Sequence, residues 1–101
     1  MKTKALLSPR LLERANELRD IMLEVSGMDA FESRRDRESV TARMMIAYRL
    51  YDEGFMESDI GRVLNKNHAT INHYREQMTF ILGHPGWSAE REVWKKFKER
   101  I

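Results

Sequence analysis

One stretch constrains this chain more than any other: residues 58–78, S-D-I-G-R-V-L-N-K-N-H-A-T-I-N-H-Y-R-E-Q-M. Ile60, Val63 and Leu64 fall on one side of a short helix, and the polar run Asn65, Lys66 and Asn67 then makes a tight turn. A second helix follows, with Ile71 and Met78 facing inward together with Tyr74 or Ile81. Two helices joined by so few residues have the layout of a helix-turn-helix, whose second helix can enter the major groove of duplex DNA. The start of that second helix shows His68, Ala69 and Thr70, which are small or hydrogen-bonding groups able to reach base edges. No Asp or Glu occurs between Ile60 and Arg75, whereas Arg62, Lys66 and Arg75 are basic. A helix start also points unpaired N–H groups at anions such as phosphate.

The rest of the chain reads as further helices. Ser8 followed by Pro9 is a start signal, a capping hydroxyl before proline at the first helical position. Leu11, Ala15, Leu18, Met22 and Val25 then recur at spacings of four and three, and Gly27 closes the helix as its C-cap. This stripe fits a dimer seam as well as a core, but with barely two heptads packing within one domain is the expectation. Residues 28–32 make one short turn with Phe31 as an inward anchor, and Ser33, Arg34, Arg35, Asp36 and Arg37 form a basic loop. A long helix is expected from Glu38 to about Glu53, with Val40, Met44, Ala47, Tyr48 and Tyr51 on its inner face, ending at Gly54. The helix-turn-helix ends near Leu82, and Gly83, His84, Pro85 and Gly86 break the chain. Ser88 caps a last helix over residues 89–100, whose Val93, Trp94, Phe97 and Ile101 share one apolar face.

Length and composition exclude several classes. At 101 residues there is room for one domain over 1–101, with its core at about 10–82 and an added helix at about 88–100. Gly and Pro total only seven (five and two) and sit at helix ends, so a turn-rich β fold is not expected. There is no cysteine, hence neither disulfides nor thiolate metal sites. No apolar run of about 18 residues exists to span a membrane. The opening M-K-T-K-A-L-L-S-P-R is too briefly apolar for a secretory leader, so a cytoplasmic location is expected. Net charge is only +2, but it is segregated: five arginines against two acids over residues 34–51, then Asp52, Glu53, Glu57 and Asp59, then basic again from Arg62. Such segregation places a positive face on a nearly neutral protein. His68 and His73 lie about 140° apart on a helix and cannot chelate one ion, and no acid–base pair or nucleophile motif stands in a recognisable frame. No metal, no cofactor and no catalytic residue is expected. His73 is expected to pack or bond within the fold.

Three segments, in this order, resemble the C-terminal DNA-binding domain of the bacterial replication initiator DnaA. S-R-R-D-R-E-S-V-T-A-R-M at 33–44 resembles that family's basic loop running into R-E-I-V-x-A-R-Q. S-D-I-G-R-V-L at 58–64 is similar to P-E-I-G-x-x-F, and N-K-N-H-A-T-I-N-H at 65–73 to G-R-D-H-T-T-V-x-H. The likeness covers about residues 10–80. It implies an all-α, Trp-repressor-like domain of five or six helices that binds double-stranded DNA in replication or transcription control, in a bacterium or phage. It also implies roles: Arg34, Arg35 or Arg37 enters the minor groove, Arg43 contacts DNA from the start of the long helix, and Lys66, His68 and Thr70 read the major groove. By residue type Arg43 is equally suited to pair with Asp36 or Glu38. Arg62, Asn67 and Ala69 complete the expected surface.

The chain departs from the pattern where that family has Asp, Thr and Gln, carrying Asn67, Ala69 and Met44 instead. Asn suits adenine rather than cytosine, and Ala touches only a thymine methyl, so a different base preference is expected. No G-x-x-x-x-G-K-[ST] loop occurs, so the initiator's ATPase is not expected. Trp87, Trp94 and Phe97 are expected to pack the last helix onto the core; the competing function class is a protein-interaction adaptor on the same fold, with Trp94 and Phe97 as a surface for another protein or a second copy.

Overall fold

The structure is a computed structural model describing residues 8–101; the opening stretch read for a leader lies outside them, at 1–7. The described residues form an all-α domain of five helices, as the apolar spacing predicts. α1 (Pro9–Ser26) starts where Ser8 Oγ accepts the amides of Arg10 and Leu11, and it stops at Gly27 in the left-handed region, φ 77°. Leu11, Ala15, Leu18 and Met22 are buried inside the domain, so the α1 stripe serves its own core. A turn follows in which Asp29 accepts the Phe31 amide at 3.0 Å and holds the Arg19 guanidinium by two bonds of 2.7 Å. Phe31 packs half-buried against the core as expected, with Arg19 over its ring.

α2 (Arg37–Asp52) begins one residue earlier than the pattern suggests, because Asp36 caps it by accepting the Ser39 amide at 3.1 Å. It is the central helix and packs against α1, α3 (Glu57–Leu64) and α4 (His68–Gly83). That surrounding corrects the single inner face expected for it. Met44 and Ala47 are buried, but so are Ala42, Met45, Ile46 and Leu50, while Tyr51 is exposed. A helix covered on three sides needs an apolar girth rather than a stripe.

α5 (Ser88–Arg100) lies on α1 and α4. Ser88 is its first helical residue, not its cap; Trp87 holds the cap position without a side-chain bond. Trp94 and Phe97 are buried in the same cluster as Leu18 and Met22, and Tyr48 meets Trp94 edge-on at 5.6 Å. Of the two uses weighed for Trp94 and Phe97, packing onto the core is the one made, and neither is left as a partner surface. Burial of two aromatics this size contributes on the order of 3–5 kcal/mol each. A three-way ion cluster ties the first half of α1 to the end of α2, where Glu53 receives Arg14 Nε at 2.9 Å, Arg14 Nη2 at 2.7 Å and Arg49 Nε at 2.6 Å. Among the described residues no helix is long and apolar enough to cross a membrane.

Candidate nucleic-acid interface

The turn between α3 and α4 is built from three backbone demands. Lys66 donates its amide to the Gly61 carbonyl at 2.7 Å, folding the chain back over the end of α3. At that crossing a Cβ on Gly61 would stand 2.4 Å from the Lys66 carbonyl oxygen, so the I-G pair of the sequence is a close-approach requirement. Asn65 turns the corner at φ 58°, the one non-glycine residue of positive φ among the described residues. Asn67 then caps α4, its Oδ1 accepting the Thr70 amide at 2.8 Å. All four apolar positions considered for α4, Ile71, Tyr74, Met78 and Ile81, are buried, so neither of the two open choices was exclusive.

The turn leaves the start of α4 bare. His68 and Ala69 are exposed and Thr70 is half-buried. Asn67 is exposed too, but its carbonyl oxygen is committed to the cap, which leaves its amide as the free group. Lys66 is half-buried and makes no ion pair among the described residues, whereas Arg62 pairs with Asp59 at 2.6 Å. Arg75, counted among the basic residues of the acid-free stretch, is held by Glu57 and by the face of Tyr51 at 3.6 Å. His73 is exposed on the flank of α4, which corrects the expectation that it packs or bonds inside.

The basic loop meets α4 further along the helix. Arg35 and Arg37 line one groove with His73 and Gln77 of α4, over a floor that includes Met44 and Ile81. Arg35 is exposed and forms no ion pair among the described residues. Arg34 pairs with Asp36 at 3.0 Å, inside the loop. The Ser39 amide, with help from Arg34, holds the Asp36 carboxyl below its ordinary range. Arg37 reaches away from the loop to Glu90 of α5 at 2.8 Å and lies 4.6 Å over the Trp87 ring.

Arg43 is where structure and expectation part most clearly. It is only 3% exposed, and its guanidinium points into the protein. Nε donates to the Ala30 carbonyl at 3.1 Å, and Nη2 donates to the carbonyls of Glu32 and, at 2.9 Å, Arg34. Buried with those partners, Arg43 is not displayed for a ligand, and among the described residues it makes no pair with Asp36 or Glu38. Arg43 instead clamps the strand of chain that leads into the basic loop. A cue lies in the sequence: an arginine set in V-T-A-R-M-M-I-A has small or apolar neighbours on every side of its helix, a setting that buries it with carbonyl partners. The pairing of Arg37 with α5 has no such cue, since it joins residues about fifty positions apart.

No protein-family model, curated protein or solved structure matches the chain.

Proposed function

We propose that this chain is a non-catalytic binder of double-stranded DNA, acting through the α3–turn–α4 unit and the basic loop as a module related in kind to the DnaA C-terminal domain. The observation that carries the reading is that α4 has an unpaired cation at each of two places, Lys66 before its bare start and Arg35 in a groove with His73 and Gln77 further along. Arg35, without a carboxylate partner, shares a groove with α4, whose bare start offers His68, Ala69 and Thr70 behind the free Lys66. Recognition then divides by chemistry. His68 and Thr70 meet base edges in the major groove, and Ala69 lies against a thymine methyl. Asn67, its oxygen spent on the cap, offers only a donor. Lys66 neutralises a phosphate, and Arg62 adds a second only by exchanging Asp59 for it. Arg35 is the loop arginine for the adjacent minor groove, because it alone of the three is free of ion pairs. Arg43 positions the loop from behind. A role in replication or transcription control within a bacterial or phage cytoplasm accords with such a module.

The test is a salt-titrated binding series on duplex DNA. Each phosphate neutralised lowers log affinity by roughly 0.9 per log unit of salt, so three or four contacts give a slope of about −3. A flat salt response, with tight binding to another protein, overturns the proposal in favour of an adaptor.

A further inference from the structure

We infer that α5 withholds Arg37 from DNA, so that the Glu90–Arg37 ion pair is an autoinhibitory contact setting the strength of the proposed interface. The inference rests on the DNA-binding reading. Arg37 stands on the groove that Arg35, His73 and Gln77 share, where its guanidinium would add a phosphate contact. There the guanidinium lies over the Trp87 ring, itself part of the groove lining, and its charge is offset by Glu90 at 2.8 Å. The two partners are unequally wet: the Arg37 side chain is 61% exposed and that of Glu90 only 12%. Glu90 forms a wall of the cleft between the end of α1, the start of α2 and the start of α5, beside Ala42 and Val93. A carboxylate so placed is poorly solvated and depends on its one cation. Drawing Arg37 onto a phosphate leaves Glu90 unpaired, and that cost opposes DNA binding.

The holder is itself fixed. Arg91 donates to the carbonyls of His84 and Pro85, closing the break before α5, and Trp94 and Phe97 bury the helix that follows. Trp87 and Glu90 are thereby presented to the loop from a packed element. Of the three loop arginines, one is cancelled within the loop, one is free, and one is cancelled by α5. A partner or condition that moves the start of α5 off the loop returns the third charge to the groove.

The experiment measures affinity and salt slope on one duplex for the wild type, Glu90→Gln, Arg37→Gln and the double variant, each checked for native helicity. Glu99→Gln, nine residues further along α5, is the control for net charge. At about 1.5 Å per residue it lies about 13 Å along the helix, beyond the ~10 Å Debye length at 0.1 M salt. The latch predicts that Glu90→Gln binds about two- to five-fold tighter, the range of a modest ion pair released. Its salt slope should steepen by about 0.9, one added phosphate. In the Arg37→Gln background the same change should gain no more than Glu99→Gln does. A Glu90→Gln protein no tighter than the control, a gain that survives Arg37→Gln, or weaker binding overturns the latch while leaving DNA binding intact. Absence of DNA binding by both the wild type and Glu90→Gln at low salt removes the DNA reading and the latch together.

Discussion

Arg43→Met separates a clamp from a DNA contact. The guanidinium is buried and meets three carbonyls, those of Ala30, Glu32 and Arg34. A hydrogen bond from a charged donor contributes a net 1.5–3 kcal/mol or so. The three do not simply add, because Glu32 and Arg34 are exposed residues whose carbonyls water can reach once the clamp is gone. Ala30 is fully buried, so its carbonyl is the acceptor left most nearly dry. Methionine fills much of the arginine stem, and removing a buried charge recovers some desolvation cost. The net expectation is a loss of about 2–4 kcal/mol, concentrated on one or two carbonyls. For a domain of about 100 residues that lowers Tm by roughly 10–25 °C. The assay is thermal and denaturant melting followed by circular dichroism, with DNA affinity measured well below the new Tm. DNA affinity should fall moderately while the salt slope changes little, because a loosened loop loses precision before it loses charge. A variant that melts within about 2 °C of the wild type, yet loses about 0.9 from its salt slope, would refute the clamp and restore Arg43 as a phosphate contact.

Other substitutions test the remaining parts. Gly61→Ala should destabilise by about 1–3 kcal/mol or more, since its methyl meets the Lys66 carbonyl, and a wild-type melting curve would contradict the close crossing. Burial raises the Glu53 pKa but the bonds from Arg14 and Arg49 outweigh it, so the carboxyl sits below its ordinary value of 4.5. Its stabilisation is therefore complete above about pH 4.5 and lost as pH falls through the lowered value. Glu53→Gln should cost about 1–3 kcal/mol at pH 7 and flatten the acid limb of a Tm–pH series. His68→Ala and Thr70→Ala should each relax preference at one or two base pairs by about 1–3 kcal/mol, read by binding to matched and random duplexes. Unchanged preference in folded variants would take α4 out of base reading.

Local rules made most of the helix ends legible, because each end carries its own chemistry. Ser8 with Pro9, Gly27 and the Asn65–Asn67 turn announce themselves without reference to any distant residue. The inner face of α2 was not legible in the same way. Its burial is decided by how many helices surround it, and that number is a property of the assembled fold; periodicity alone cannot distinguish a one-sided stripe from a girth. Ser88 failed as a cap for a related reason. The path of the chain through Pro85 and Gly86 brings the helix in one residue earlier, with Arg91 donating its amide to the Trp87 carbonyl at 3.0 Å.

The surface shows the same division with consequences for recognition. Residue type marked the basic loop correctly as charged, but charge in a sequence is not charge available to a ligand. Once folded, Arg34 answers to Asp36, Arg37 to Glu90 and Arg75 to Glu57, and Arg43 leaves the surface altogether. What remains free is a short list: Arg35, Lys66 and the start of α4. Under the proposed function, a surface so thinned would bind DNA weakly through phosphates and draw proportionally more of its affinity from base edges. Yet α4 has already surrendered one reader, since the Asn67 oxygen caps the helix, and Ala69 offers only a methyl. Under that proposal discrimination would fall on His68 and Thr70, and strength on whether α5 keeps Arg37. Those two controls are separable because they reside on different elements. Substitutions at His68 should alter which sequence is chosen at constant salt slope, and substitutions at Glu90 should alter the slope at constant choice.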